Sequence, residues 1–157
     1  MHNPVMIEIH EIKAAQETWG KAVVGVGAAS SREEARSLAV KLAEELYALD
    51  DGELLFCPTK ASVKQFRASL KEVVSYFVGG DPDHEEDSGF ALEPWSSVRF
   101  ENAGIIERED VGIAMGNYFF GRAEGSELKV EYSFVYVRGA SGSLEIQLHH
   151  SALPYQA

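Results

Sequence analysis

The segment EIQLHHSALPY, residues 145–155, places a serine directly after two adjacent histidines near the end of the chain. An imidazole can exchange a proton near neutral pH, and a serine hydroxyl can donate a hydrogen bond or become a nucleophile beside a base. On a regular strand, His149 and Ser151 share one face, while His150 shares the other with Ile146 and Leu148. A polar strand end in water would show the same pattern, so alternation alone leaves catalysis open.

Three other polar residues occupy positions from which they could join such a pair. Thr59 precedes a predicted helix, which it could simply cap. Tyr76 lies in the last turn of that helix beside an apolar stripe, so its ring can be buried while its hydroxyl needs a partner. Asn117 alternates with Met115 and Phe119, which predicts that it faces the interior, where an amide must be hydrogen-bonded. Each is an ordinary structural residue when considered alone.

Two further features of the sequence invite a chemical interpretation that they do not support. The acidic stretch DPDHEED, residues 81–87, could hold a cation, but it lacks the order and spacing of a calcium loop. A solvated loop is therefore expected there. Cys57 is the single cysteine, which cannot form an internal disulfide or a thiolate cluster. It is expected to be a small buried residue.

The elements that must position these residues begin with two helices. Apolar residues recur at roughly helical spacing over 9–23, which predicts a first helix that ends before Gly25 and Gly27. Ser31 and Glu34 form a capping-box pattern before a second helix. Its apolar face is expected to hold the leucines at positions 38, 42, 46 and 49, and Gly52 is expected to close it.

A third helix is predicted after the short apolar piece ELLFCPT, residues 53–59. Pro58 marks its approach, and Ser62 with Gln65 offers a cap. The pair Gly79–Gly80 stops it. The residues of its predicted buried stripe are Val63, Phe66, Leu70, Val73 and Phe77.

The second half of the chain changes to a strand-like composition. VGIAMGNYFFG, ELKVEYSFVYVRG and SLEIQLHH are rich in β-branched and aromatic residues, and the short separators RAEGS and GASG contain glycine. Helices followed by an antiparallel meander indicate an α+β fold with helices across one face of a curved sheet. Residues 1–157 are expected to form one domain with room for a cavity between sheet and helices.

Composition excludes several classes of partner. The net charge of −11 opposes binding to nucleic acid and to anionic membrane surfaces. No apolar run approaches the length of about 20 residues that a membrane span needs. No signal peptide is visible at the N-terminus, so the cytoplasm is the expected compartment.

Six segments together resemble one known family. LLFCPTKAS, SYFVGG, DSGFALEPWSSVRFENAGI, AMGNYFF, LKVEYSFVYV and LEIQLHHSALPY are similar, in this order, to segments of the iota-class carbonic anhydrases. The resemblance covers about residues 30–155. That family belongs to the SnoaL-like, NTF2-like superfamily and is related by fold to the association domain of calcium/calmodulin-dependent kinase II. The resemblance implies a conical α+β barrel, commonly a homodimer, that interconverts carbon dioxide and bicarbonate.

The same resemblance implies a set of site residues. Thr59 matches the threonine of the family's PT motif, and Tyr76 matches the tyrosine of SYFVGG. His149 and Ser151 match the first histidine and first serine of the terminal motif. One departure is visible, because Ala152 stands where the family usually has a second serine. Strand alternation turns position 152 away from Ser151, so this departure is expected to have little effect on the site.

The family includes members reported as metal-dependent and others reported as metal-free. A three-histidine zinc site would require His84, His2 or His10 to join the last strand. We therefore expect no metal cofactor, with zinc or manganese as the alternative. Without a metal, the side chains must hold the water and the developing bicarbonate. Thr59, Tyr76 and Ser151 are expected to act as donors, and His149 as the proton acceptor.

Two rival functions fit the same fold. A non-catalytic association or small-molecule-binding module would have no need for four convergent polar residues. An isomerase or hydratase would need an acidic base in the cavity, for which Glu101 and Glu131 are the residues to locate.

Overall fold

The structure, a computed structural model, describes residues 5–50 and 53–157. Its three helices are α1 (Ile9–Gly27), α2 (Arg32–Leu46) and α3 (Leu70–Val78), with a short 3-10 helix at Phe90–Leu92. Its five strands are β1 (Leu55–Cys57), β2 (Ser97–Glu107), β3 (Gly112–Gly121), β4 (Glu127–Arg138) and β5 (Leu144–Ala152). The predicted order of helices before strands is therefore confirmed.

Helix α1 is longer than predicted. It continues through Gly25 to Gly27, so the expectation that it ends before these glycines is wrong. A Cβ at position 27 would collide with the carbonyl oxygen of Ala91 and approach Pro94 Cβ at 3.2 Å. Gly27 thus permits close packing against the following segment, and it does not act as a stop signal.

Helix α2 begins as predicted and ends before the last leucine of its expected stripe. Ser31 is the N-cap, and its hydroxyl accepts the backbone N–H of Glu34 at 3.0 Å. The carboxylate of Glu34 bonds to Ser30 instead of closing the predicted capping box. Leu49 lies beyond the end of the helix at Leu46. The predicted closing residue, Gly52, lies outside the described residues.

Helix α3 begins later than predicted. Ser69 and Glu72 form its capping box, so the prediction of a cap at Ser62 and Gln65 is wrong. Val63 and Phe66 are 78% and 73% exposed, whereas Val73 and Phe77 are buried as predicted. The backbone N–H groups of 62–64 bond to a carboxylate from a distant loop, which holds this stretch out of a helix.

The strands form one open sheet in the order β1-β5-β4-β3-β2. Strands β2 to β5 are an antiparallel meander, of which β3, β4 and β5 were predicted as strands, and β1 adds to β5 in parallel. The parallel pairing was not predicted, because a strand of three residues carries little pattern. It places Phe56 beside His149 and so connects the chain before Thr59 to the last strand.

The two faces of the sheet differ. The inner face, with buried Tyr118, Tyr132 and Phe134, packs against the helices around the indole of Trp19. The opposite face carries an aliphatic row, one residue from each strand and in register across the sheet: Leu55, Leu148, Val135, Ile113 and Ile106. We call this set the outer row.

Candidate active site

A small cavity lies between the inner face of the sheet and the helices. Its volume of about 10 Å³ leaves room for about one water molecule. Its lining is aromatic, with a few polar groups: Trp19, Phe56, Pro58, Thr59, Tyr76, Phe77, Phe90, Tyr118, His149 and Ser151. The cavity thus brings together the four residues that the family resemblance implied.

Strand β5 turns His149 and Ser151 into the cavity. They are 2% and 3% exposed, while His150 faces solvent, so the predicted division of the histidines is confirmed. The prediction that Ile146 shares the face of His150 is wrong, because Ile146 is buried on the inner side with His149. The pairing with β4 skips a residue between Ile146 and Leu148, and this bulge changes the phase of the strand.

Tyr118 joins the two site residues of β5. Its hydroxyl lies 3.0 Å from His149 Nε2 and donates to Ser151 Oγ at 2.5 Å. Ser151 Oγ in turn lies 2.5 Å from Thr59 Oγ1. A continuous line of short hydrogen bonds therefore runs from the imidazole to the threonine that precedes α3.

The far side of the imidazole is also occupied. His149 Nδ1 lies 2.9 Å from the hydroxyl of Tyr47, and that hydroxyl accepts the indole N–H of Trp19 at 3.0 Å. Tyr47 follows the last residue of α2, where its backbone forms a bridge to Ile146 of β5. Both ring nitrogens of His149 are thus engaged by tyrosine hydroxyls.

Burial sets the protonation states in the cavity. Desolvation, with a smaller contribution from the charge of His150, holds the pKa of His149 well below its ordinary 6.5. Desolvation also raises the pKa of Tyr118, and it raises the pKa of Tyr76 to about 12 against opposing hydrogen bonds from Thr59 and the Lys60 N–H. The imidazole is therefore neutral and both phenols keep their protons. Because burial disfavours the imidazolium, His149 is a weaker proton acceptor than an exposed histidine.

The segment that carries Thr59, residues 58–69, is held by two buried or half-buried carboxylates. Glu86 accepts the backbone N–H groups of Ser62 and Lys64, each at 2.7 Å. Arg67 forms a fully buried bidentate pair with Asp87 at 2.8 and 2.9 Å. The predicted solvated loop 81–87 is thus in part a structural anchor for the site, because two of its carboxylates point inward.

Asn117 does not reach the cavity, so the expectation that it faces the interior is wrong. Tyr118 occupies the inner face of β3, and alternation places Asn117 and Met115 on the opposite face, where Met115 is 59% exposed. Asn117 lies in register between Glu101 and Glu131. These two glutamates are solvent-exposed on that outer face, so neither supplies the acidic base that an isomerase would need.

Sequence reasoning missed Trp19, Tyr47 and Tyr118. Tyr118 alternates with Phe120 on the buried face of β3, so the correct phase for AMGNYFF would have found it. Trp19 lies within the helical stripe predicted over 9–23, and that pattern indicates packing alone. Tyr47 could not be assigned from pattern, because its position depends on where α2 ends and on a bridge to a residue 99 positions later in the chain.

The histidines required for a zinc site do not meet. His84 is buried in the loop before the 3-10 helix, with its Nδ1 3.5 Å from Asp81 Oδ2, and His10 lies exposed on α1. His2 lies outside the described residues. Within residues 5–50 and 53–157, no group of three or more His, Cys, Asp or Glu side chains could hold a metal ion.

Fold and site together define a class of protein: an open α+β cone of the NTF2-like type with a hydroxyl-and-imidazole cavity under its helices. A solved NTF2-like superfamily protein from Salmonella enterica serovar Typhimurium has this fold, with a TM-score of 0.59 at 11% identity. The match covers 94% of this chain and 92% of the other. This likeness establishes the fold alone.

The family follows from closer relatives. Residues 10–153 match the family described as metal-independent carbonic anhydrase. A metal-independent carbonic anhydrase of Nostoc sp. (strain PCC 7120 / SAG 25.82 / UTEX 2576) is 35% identical over 150 residues, 93% of this chain and 73% of that protein. A crystal structure of an iota-carbonic anhydrase from a cyanobacterium, complexed with bicarbonate, superposes with a TM-score of 0.93 at 33% identity over the whole of both chains. The chain belongs to the metal-independent carbonic anhydrase family.

Family membership confirms three predictions: the resemblance to iota-class carbonic anhydrases, the reversible hydration of carbon dioxide, and a reaction without a metal cofactor. It also decides between the rival functions, because the family is one of enzymes. The non-catalytic association module is therefore not the function of this chain.

Proposed function

We propose that the cavity between β5, β3 and α3 is where this enzyme hydrates carbon dioxide, with Thr59, Tyr76, His149 and Ser151 holding water and bicarbonate. The observation that carries the proposal is the buried hydrogen-bond line from His149 through Tyr118 and Ser151 to Thr59. Such a line preorganises donors where negative charge develops during the attack of water on carbon.

The chemistry of the lining suits both substrate and product, which are larger than the one water molecule that the cavity admits, so the proposal includes outward movement of lining side chains when either binds. Carbon dioxide is apolar, and the rings of Phe56, Phe77 and Phe90 form an apolar wall. Bicarbonate has oxygens that need donors, and Thr59 and Tyr76 line the same cavity with hydroxyl groups. The bicarbonate bound to the cyanobacterial relative supports the same class of ligand here.

The protonation states constrain the path of the proton. The imidazole of His149 has a lowered pKa and the phenols have raised ones, so none of these groups gains or loses a proton near neutral pH. We propose that, as the water oxygen bonds to carbon, the hydroxyl of Thr59 accepts one water hydrogen. The same hydroxyl passes its own hydrogen to an oxygen of carbon dioxide. The product is then carbonic acid, which releases its proton to solvent and leaves as bicarbonate.

The test is carbon dioxide hydration by four folded variants: Thr59→Val, Tyr76→Phe, His149→Ala and Ser151→Ala. Each is expected to lose activity, because each removes a donor or its support. Ser133→Ala is the matched control, because Ser133 pairs with His150 and faces away from the cavity. Wild-type rates in all four site variants would refute the assignment, whatever the control does.

We further propose that residues 1–157 form one domain that assembles as a homodimer in the cytoplasm. The outer row supports the dimer, because it is an aliphatic strip across the sheet face opposite the described helices, with Leu55 65% exposed. Light scattering should give twice the chain mass for the wild type and the chain mass for Val135→Glu, and a monomeric wild type would refute the dimer.

The proposal of a cytoplasmic location rests on the single cysteine, which is consistent with a reducing compartment. Cell fractionation tests the compartment.

No helix within the described residues has the length and apolar character to span a membrane.

A further inference from the structure

The unused part of the hydrogen-bond line lies behind His149, away from Thr59. Within the described residues, Trp19 and Tyr47 form no hydrogen bond to the hydroxyls of Thr59, Tyr76 and Ser151, yet they are as deeply buried as the imidazole they support. Tyr47 alone bonds to the Nδ1 side of the ring. The hydroxyl line by itself does not determine in which direction its hydrogen bonds run. Trp19 and Tyr47 can determine that direction, because Tyr47 bonds to the other side of the imidazole and Trp19 bonds to Tyr47.

An indole N–H can donate a hydrogen bond but cannot accept one. The Tyr47 hydroxyl has two partners, Trp19 Nε1 at 3.0 Å and His149 Nδ1 at 2.9 Å. Trp19 therefore supplies a hydrogen to Tyr47 and can take none. The hydrogen of Tyr47 has His149 Nδ1 as its acceptor.

This direction determines the tautomer of the neutral imidazole. Because Nδ1 accepts from Tyr47, the ring hydrogen must be on Nε2, where it donates to Tyr118. In the opposite tautomer, His149 Nδ1–H and the indole N–H of Trp19 would both donate to the Tyr47 oxygen. The hydroxyl hydrogen of Tyr47 would then be buried without an acceptor. The usual penalty for such an orphaned group corresponds to about a 5- to 150-fold preference for the Nε2–H form.

The same direction continues along the line to the cavity. Tyr118 accepts from His149 and donates to Ser151, so the Ser151 hydrogen goes to Thr59. The hydrogen of Thr59 is then the one at the end of the line, beside Tyr76. In the opposite direction, Thr59 would donate into the line and present only lone pairs to a bicarbonate oxygen.

We propose that Trp19 and Tyr47 are positioning residues that hold His149 as the Nε2–H tautomer and so direct the hydroxyl hydrogen of Ser151 to Thr59 and that of Thr59 toward the substrate. The proposal rests on the proposed function for its consequence in catalysis. The tautomer itself does not depend on that function.

The experiment is nitrogen NMR of the full chain labelled in its histidines, combined with carbon dioxide hydration rates. The signals of His149 are identified among the five histidines by their absence from His149→Ala. The wild type is expected to show the Nε2–H form. An Nδ1–H form in the wild type would overturn the proposal whatever the activity.

Tyr47→Phe removes the hydroxyl that selects the tautomer. Each tautomer then leaves one ring position unpaired, so a mixture is expected, and kcat should fall in proportion to the remaining Nε2–H fraction. An equal mixture would halve kcat. Tyr136→Phe is the matched control, because Tyr136 is equally buried and its hydroxyl has no hydrogen-bond partner in the described part of the chain. It should change neither the spectrum nor kcat.

Three results with Tyr47→Phe contradict the proposal: an unchanged tautomer, a changed tautomer with wild-type kcat, and a fall in kcat without a change in tautomer. If Tyr47→Phe does not fold, Tyr118→Phe replaces it. That variant keeps the donor to Nδ1 and should retain the Nε2–H form, so a switch to Nδ1–H would overturn the proposal. A wild type in the Nε2–H form but without hydration activity would refute the proposed function and leave the tautomer assignment standing.

Discussion

Replacing Tyr118 with Phe should separate the hydrogen-bond line from the packing that surrounds it. The phenylalanine ring can keep the stack on Trp19, where the centroids are 5.5 Å apart, and only the hydroxyl is lost. His149 Nε2 then loses its single partner and Ser151 Oγ loses one of two. The change is therefore confined to two buried polar atoms on neighbouring residues.

The expected loss of stability follows from His149 Nε2, because Ser151 Oγ keeps its bond to Thr59. A buried polar group left without a partner costs about 1–3 kcal/mol. For a chain of this length, 1 kcal/mol lowers the melting temperature by about 2–4 °C, so a decrease of about 2–12 °C is expected. Removing a donor that contacts the developing charge typically lowers kcat by about 100- to 1000-fold. Tyr118 acts through Ser151, so a smaller loss of about 10-fold is expected.

The assay pairs thermal unfolding with stopped-flow carbon dioxide hydration, and Tyr136→Phe is the reference. Tyr136 has a buried hydroxyl without a hydrogen-bond partner in the described part of the chain, so its removal should leave stability equal or higher. If the two Tyr→Phe variants had the same melting temperature and the same kcat, the reasoning from the hydrogen-bond line would be refuted.

Three further predictions concern pH and metal. Three backbone N–H groups lower the pKa of Glu86 from 4.5 to about 2, so its stabilising effect should be complete above pH 4.5 and disappear as the pH falls toward 2. The melting temperature of Glu86→Gln should therefore be lower than that of the wild type near neutral pH, and the difference should decrease in acid. Glu85→Gln is the control at the exposed neighbouring position, and its melting temperature should equal that of the wild type at every pH. Because burial lowers the pKa of His149 below 6.5, stability should decline as the pH falls below 6.5, and the pH–rate profile of the folded enzyme should show no inflection there; an inflection that His149→Ala abolishes would contradict this. Exhaustive chelation, checked by elemental analysis, should leave the hydration rate unchanged, and a loss that zinc or manganese restores would contradict the metal-independent assignment.

Thr59 and Ser151 illustrate how the site is assembled. They are 92 positions apart in the chain, yet their side-chain oxygens are 2.5 Å apart. The parallel pairing of β1 with β5 brings them together, and the anchors at Glu86 and Arg67 hold the Thr59 segment in place. None of these long-range contacts has a local pattern, so only the resemblance to a family connected the two residues before the structure did.

The sequence by itself determined the elements and the division of the last strand. Helical periodicity and caps are local, so the start of α2 and the meander of β3 to β5 could be predicted, and strand alternation separated His149 from His150 correctly. The tertiary structure decided the rest. The bulge in β5 placed Ile146 with His149, the carboxylate of Glu86 kept residues 62–64 out of a helix, and the phase of β3 placed Tyr118 in the cavity instead of Asn117. The physical reason is that bulges, loop anchors and hydrogen-bond direction depend on partners that are distant in the chain, and a local pattern contains no information about them.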